Sequence, residues 1–301
     1  MKTLHIRIKT DPLLVDALSD YLVGMHDAVT EFSVDDDGSG SLLQAFVEKD
    51  IGDDQVIAEL GAQISSFVNE LADIFSCGVP EVSVELLEDD DWAENWKAYF
   101  KPFEIVDGLV IAPTWEEYVP RGGEQLIVMD PGMAFGTGHH ATTRLCLELM
   151  QGALPPGGRV LDVGTGTGIL AMAALLWGAS GVVAIDNDGE AVAAARTNAE
   201  RNGLADRMEV SDKPIAALHG TFDLVIANIV HDVLVGLADH LADAATDGGL
   251  VLLSGLITGE QSSNLERIFV GTGFELKRQL AEDQWCALLF QKRGEQRAES
   301  G

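Results

Sequence analysis

The chain opens on a short alternation. In TLHIRIKT, Leu4, Ile6 and Ile8 alternate with polar neighbours, which predicts a strand buried on one face. DPLLVDALSDYLVGM then changes to helical spacing, with Asp11 as N-cap and Pro12 at the first helical position. TEFSVDDD and SLLQAFVEK flank an Asp/Gly/Ser cluster and predict a hairpin. DDQVIAELGAQISSFVNELADIF sets Val56, Leu60, Ile64, Phe67, Leu71 and Ile74 on one helical stripe, and EVSVELLE closes with a strand.

The resulting order β-α-β-β-α-β over residues 1–88 is the split βαβ pattern of a small α+β ferredoxin-like domain. That module implies no chemistry by itself. Residues 89–118 read as a linker. An acidic start leads to Trp92, Trp96, Tyr99 and Phe100, the apolar face of a short helix, and GLVIAPTW follows as a strand. Beyond it the pattern changes again. RVLDVG, GVVAID, RMEVS, FDLVIAN, GLVLLSG, FELKRQL and CALLFQ are strand candidates. GILAMAALLWG, EAVAAARTNAERNG and HDVLVGLADHLADAATDGG are helical stretches between the first five. Apolar strands joined by helices predict an α/β fold with a parallel, doubly wound sheet over residues 119–292. Residues 293–301 are polar and are expected to be a disordered tail.

Charge narrows the partners. The 301 residues carry 49 acidic and 19 basic side chains, a formal charge of -30. Such a field repels nucleic-acid phosphates and anionic membranes and attracts basic proteins. A salt-adapted surface with no partner gives the same composition, so both readings stand. Cys77, Cys146 and Cys286 are scattered and form no CxxC, which argues against a disulfide framework or a zinc knuckle. The start MKTLHIRIKTDPLL lacks the apolar core of a leader peptide, and no apolar run approaches the roughly 18 residues of a membrane span. The expectation is a cytoplasmic monomer with no membrane and no direct nucleic-acid partner.

Two glycine turns carry the candidate chemistry. In LDVGTGTGILAMAALLWG a strand, a tight turn and a helix follow one another, so Gly164, Gly166 and Gly168 bring the backbone close to a ligand at a helix N-terminus. The next strand ends in AIDND and places Asp186 about 20 residues further on, where a doubly wound fold presents a carboxylate to a ribose diol. The spacing is G-x-G-x-G rather than the dinucleotide G-x-G-x-x-G, and no GK[ST] is present. The helix start has no basic residue for a pyrophosphate, and Asp162 would repel one. An acidic, phosphate-free pocket suits S-adenosylmethionine, with NAD the alternative.

Asn228 ends FDLVIAN at the carboxyl edge of the sheet. Two readings of it stand: an amide that accepts from a substrate N–H, or a turn asparagine capping the next helix. The stretch DPGMAFGTGHHATTRLCLELM, residues 130–150, holds the other glycine turn and the pair His139 and His140. Adjacent side chains on an extended segment point to opposite sides, and no Cys or His cluster lies nearby, so no metal site is expected.

DPGMAFGTGHHATTRLCLEL, LDVGTGTGILAMAALLWGA, AIDND with AAARTNAERNG, VIANI and LSGLITGEQ together resemble the PrmA family, methyltransferases of the large-subunit ribosomal protein numbered eleven. DDWAENWKAYFKPFEI and IAPTW resemble that family's linker. The resemblance spans almost the whole chain, although in the N-terminal domain it is one of size and element order. It implies a Rossmann-like class I methyltransferase domain that uses S-adenosylmethionine, and an N-terminal domain that captures a basic large-subunit ribosomal protein as substrate. The product would be methylated lysine side chains, a methylated N-terminal α-amine, or both. The family's cofactor contacts fall on Thr143, Gly164, Asp186 and Asn228, and the glycine-turn reading adds Gly166. Phe135 and Asn228 are the catalytic candidates, Phe135 covering the cofactor or the target amine and Asn228 accepting from the amine. The first glycine loop is then a roof over the cofactor seated on the second.

The chain departs from the family pattern in two places. It reads His139-His140-Ala141-Thr142-Thr143 where the family has T-H-P-T-T, and the lost proline loosens that turn. His140 matches the family histidine and is expected to be structural or hydrogen-bonded near the cofactor. The residues after Asn228 differ from the commoner apolar-small pattern. Two other functions remain open on the sequence: a methyltransferase of another protein or small amine, and an S-adenosylmethionine-binding assembly module without turnover.

Overall fold

A computed structural model of the chain describes residues 2–11, 14–26, 28–34, 41–49, 54–75, 77–87, 101–130 and 140–294. These form two compact units, with the main division between Lys101 and Pro102. The first unit runs β1 (Lys2–Thr10), α1 (Val15–His26), β2 (Val29–Val34), β3 (Ser41–Lys49), α2 (Asp54–Phe75) and β4 (Glu81–Leu87). Its sheet has the order β2-β3-β1-β4 and every pairing is antiparallel. The alternation read at the start holds: Leu4, Ile6 and Ile8 are buried with Leu43, Ala45 and Val47 against Leu18, Leu22, Leu60, Ile64 and Val68 of the helices.

The first α-helix runs from Val15, after a turn in which the Leu14 N–H donates to Asp11 O at 3.0 Å; Pro12 lies outside the described residues. One detail differs from the sequence reading. Ile74 is 66% exposed. At about 100° per residue, the stripe through Leu60, Ile64, Val68 and Leu71 continues to Phe75, and Ile74 turns away from it.

The second unit begins with a small sheet in the order β5-β6-β7, built from β5 (Phe103–Val106), β6 (Leu109–Ala112) and β7 (Gln125–Val128). The helix expected at Trp92, Trp96, Tyr99 and Phe100 lies outside the described residues. The large sheet contains β8 (Arg159–Val163), β9 (Gly181–Ile185), β10 (Met208–Ser211), β11 (Phe222–Asn228), β12 (Ala245–Ile257), β13 (Phe274–Glu282) and β14 (Trp285–Lys292). Their order is β10-β9-β8-β11-β12-β14-β13. The helices are α3 (Ala141–Ala153), α4 (Ile169–Leu176), α5 (Gly189–Arg201), α6 (His231–Ala244) and α7 (Glu260–Gly271).

Both faces of this sheet are covered. Val160, Val182, Leu224 and Ile226 pack with α3, α4 and α5, whereas Leu161, Val163, Val225 and Ala227 pack with α6 and α7. That double burial explains why the strands read as nearly continuous apolar runs. β8 to β12 are parallel, as their crossover helices require. β14 runs antiparallel to both its neighbours. It follows β13 after a tight turn in which Asp283 takes φ 52°, too short a connection for a parallel return. The helix read through DAATDGG ends at Ala244, because Ala245 already pairs with Phe222.

The strand order reverses between β8 and β11, the point where doubly wound sheets receive ligands beyond their carboxyl ends. Asn202, at the end of α5, joins the small sheet to this core. Its Nδ2 donates to Val128 O and its Oδ1 accepts the Val128 N–H, both at 2.8 Å.

Candidate active site

The turn after β8 is held by hydrogen bonds from two strands. Gly164 N and Thr165 N donate to Ile185 O at 2.8 and 3.1 Å, and Gly166 N donates to Asp186 Oδ2 at 2.8 Å. Asp186 Oδ1 accepts the Asp188 N–H at 3.1 Å. Each carboxylate oxygen keeps a second lone pair for a ligand. Below the turn, Asp162 is almost fully buried and accepts the Thr165 hydroxyl at 2.7 Å. Burial raises its pKa to about 6, against the Thr165 hydrogen bond, and the nearby Asp186 charge adds to the rise. Asn198 closes the turn from α5, donating to Thr167 O at 3.0 Å.

α3 approaches the same edge. His140 caps it, with Nδ1 accepting the Thr142 N–H at 3.3 Å and lying 2.6 Å from the Thr142 hydroxyl. An accepting Nδ1 places the proton of the neutral ring on Nε2. Burial, reinforced by Arg144, lowers the His140 pKa to about 4, so the ring is neutral near pH 7. It packs edge-on against Trp285 with ring centroids 4.8 Å apart. Trp285 pairs with Ile257 at the carboxyl end of β12, and Arg144 forms an ion pair with Glu282 at the end of β13. The first turn of α3, which carries Thr143, is thereby fixed to the carboxyl edge of the sheet.

Among the described residues of this unit, three buried side-chain oxygens have no hydrogen-bond partner: Thr143 Oγ1, Ser211 Oγ and Asn228 Oδ1. Ser211 and Asn228 are the last residues of β10 and β11. A buried polar atom left unpaired costs about 1–3 kcal/mol, so three on one rim point to a ligand that pairs them. Gly164, Gly166 and Asp186 form one hydrogen-bonded unit, with Asn228 on the strand beside β8. Phe135 and His139 lie outside the described residues. Among the described residues no group of three or more His, Cys, Asp or Glu is placed to hold a metal ion.

The sequence reading missed Ser211 and Trp285. A signal for Ser211 was present: it ends the strand next to the one that ends at Asp186, and the same edge logic selects it. Trp285 carried no local signal, because only the strand register brings it to His140.

The family described as ribosomal protein L11 methyltransferase (PrmA) matches residues 3–293. The chain belongs to that family. The ribosomal protein L11 methyltransferase of Desulfotalea psychrophila is 44% identical over 295 residues, covering 97% of this chain and 98% of the relative. That of Geobacter metallireducens is 39% identical over 289 residues, covering 92% and 94%. Among solved structures, the ribosomal protein L11 methylase of Lactobacillus delbrueckii subsp. bulgaricus superposes with a TM-score of 0.60 at 32% identity, covering 64% of this chain and all of that one.

As a PrmA member the protein is a methyltransferase, its large α/β unit has the class I methyltransferase fold, and its methyl donor is S-adenosylmethionine. The residues present fit that donor. The glycine turn leads into the N-terminus of α4 and carries no lysine or arginine, as a cofactor without phosphates requires. Asp162 and Asp186 supply negative charge beside a group that carries a sulfonium and an ammonium.

Proposed function

We propose that the protein methylates amino groups of ribosomal protein L11, on lysine side chains, on the N-terminal α-amine, or on both. One observation carries this reading. Asn228 Oδ1 is buried at the end of β11, beside the glycine turn, an acceptor with no donor among the described residues. A neutral amine brings the matching N–H. The names of the relatives and the charge of -30, which attracts a basic protein, support the same substrate.

In this reading Thr143, Gly164, Gly166, Asp186 and Asn228 hold the cofactor, with Ser211 added from its unpaired hydroxyl, and Phe135 covers the cofactor or the amine. Bound S-adenosylmethionine would supply a methyl on a positively charged sulfur: a neutral amine would take that methyl in line, the sulfur would leave as a neutral thioether, and the methylated ammonium would release its extra proton to solvent. Asn228 accepts an N–H of the amine and so orients its lone pair along that line; positioning of this kind supplies much of such a barrier reduction. The amine must arrive neutral. At pH 7 this costs about 4.6 kcal/mol for lysine and about 1 kcal/mol for an α-amine. Acidic surroundings raise the lysine cost, and an apolar approach beside Phe135 offsets it.

Residues 1–88 are the recognition domain in this reading, of ferredoxin-like fold, which the antiparallel order β2-β3-β1-β4 supports. Residues 89–118 are the linker and 119–292 the catalytic domain. At the start of the expected tail the Arg293 N–H donates to Gly273 O at 3.0 Å, and residues 295–301 lie outside the described residues. The protein acts as a monomer in the cytoplasm, since so high a charge of one sign opposes self-association. No described helix is long and apolar enough to cross a membrane.

Mass spectrometry of purified L11, incubated with the enzyme and S-adenosylmethionine, tests the reading. The expected result is a gain in whole methyl increments, abolished by Asn228→Ala, with fragmentation assigning α- or ε-nitrogen. No gain from an enzyme that binds S-adenosylmethionine by calorimetry would overturn the substrate and leave the cofactor.

A further inference from the structure

Ile229, directly after Asn228, is seated between the ends of the two strands that flank β11. Its backbone N–H donates to Ser254 O at 3.2 Å. Its carbonyl lies over Gly255, where an added methyl group would stand 2.4 Å from Ile229 O and 2.8 Å from Ile229 C. On the opposite side, a methyl group added to Gly164 would stand 2.3 Å from Ile229 Cγ2. Gly164 and Gly255 have φ of +73° and +81°, so both positions exclude a side chain by conformation as well as by space. One glycine belongs to the cofactor turn and the other to β12, and both make room for the same residue.

The consequence concerns Asn228. Among the described residues no group holds its Oδ1, so the aim of that amide depends on the backbone that carries it. That backbone pairs with Ser254 of β12 and runs directly into Ile229. We propose that Ile229 is a positioning residue whose Cγ2 methyl, wedged against Gly164, sets the spacing between the glycine turn and the Asn228 amide. The methyl donor's seat and the amine's acceptor are then fixed relative to each other through one side chain. Methyl transfer needs its reacting atoms about 3–3.5 Å apart and aligned, so a small shift of this spacing falls on the chemical step. The inference rests on the reading of Asn228 as the amine acceptor.

Valine and alanine separate the wedge from general packing, since Ile229→Val keeps the Cγ2 methyl and Ile229→Ala removes it. With L11 as substrate, Ile229→Ala should lower kcat roughly tenfold or more. KM for L11 and S-adenosylmethionine affinity by calorimetry should change little; Tm should fall, because the side chain packs against the core, so kcat is read well below it. Ile229→Val should match the wild type. In a Gly164→Ala background, adding Ile229→Ala should restore part of the lost S-adenosylmethionine affinity, because it removes the atom that the new methyl meets. The Asn228 side-chain amide resonance, read by NMR with S-adenosylmethionine bound, should shift in Ile229→Ala and stay in place in Ile229→Val. Alanine and valine variants alike in both kcat and that resonance would overturn the proposal. Wild-type enzyme that leaves L11 unmethylated would overturn the substrate reading alone, because the resonance still decides whether Ile229 positions Asn228.

Discussion

Asp186 is tied to Gly166: the carboxylate Oδ2 accepts the glycine N–H at 2.8 Å while Oδ1 accepts the Asp188 N–H at 3.1 Å. The acid at the end of β9 therefore shapes the turn before any ligand arrives, and its free lone pairs remain for the ligand. Asp186→Ala removes both acceptors. A hydrogen bond to a charged group contributes about 1.5–3 kcal/mol, so urea denaturation without cofactor should show a loss of that order. Calorimetry should show weakened S-adenosylmethionine binding as well. A variant that loses affinity at unchanged cofactor-free stability would mean that Asp186 does not support the turn.

Local motifs were readable in the sequence, and contacts made by register were not. The glycine turn and Asp186 stood out because a strand, turn and helix lie side by side in LDVGTGTGILAM, and Asn228 because it ends an apolar run. Ser211 was within reach of the same edge logic, since it ends the strand candidate RMEVS. Trp285 has no such neighbours and gains meaning only once β14 pairs with β12. The antiparallel β14 was hidden for a related reason: an apolar strand buried on both faces reads the same in either direction. At the α6–β12 boundary, pairing of Ala245 with Phe222 overrode the helical propensity of LADAATD.

Thr143 offers a test in which stability and binding move apart. Its hydroxyl is buried and has no partner among the described residues, so the cofactor-free fold bears its desolvation cost. Thr143→Val keeps the shape and removes the polar atom. The cofactor-free Tm should rise, by the equivalent of about 1 kcal/mol, while S-adenosylmethionine binds several-fold more weakly. Thermal melting and calorimetry on the same preparation read both. A lower Tm without cofactor would show that Thr143 serves the fold rather than the ligand.

Asp162 and His140 give opposite slopes of stability against pH. Asp162 has its pKa raised from 3.8 to about 6, so the folded chain holds this proton where the unfolded chain has lost it. Its contribution is present at low pH and is lost as pH rises from near 4 through about 6. His140 has its pKa lowered from 6.5 to about 4, so the unfolded chain binds the extra proton. Its contribution is present above pH 6.5 and is lost as pH falls towards about 4. Asp162→Asn should therefore gain stability relative to the wild type as pH rises through that window. His140→Asn, which keeps an N-cap residue, should gain as pH falls. Each change is on the order of 2–3 kcal/mol across the window, at about 1.4 kcal/mol for each pKa unit. Urea denaturation at several pH values between about 4 and 7 measures the differences directly. Because the comparison is with the wild type at each pH, the remaining acidic surface cancels to first order. Stability profiles parallel to the wild type in both variants would mean that neither group titrates within the fold in this range.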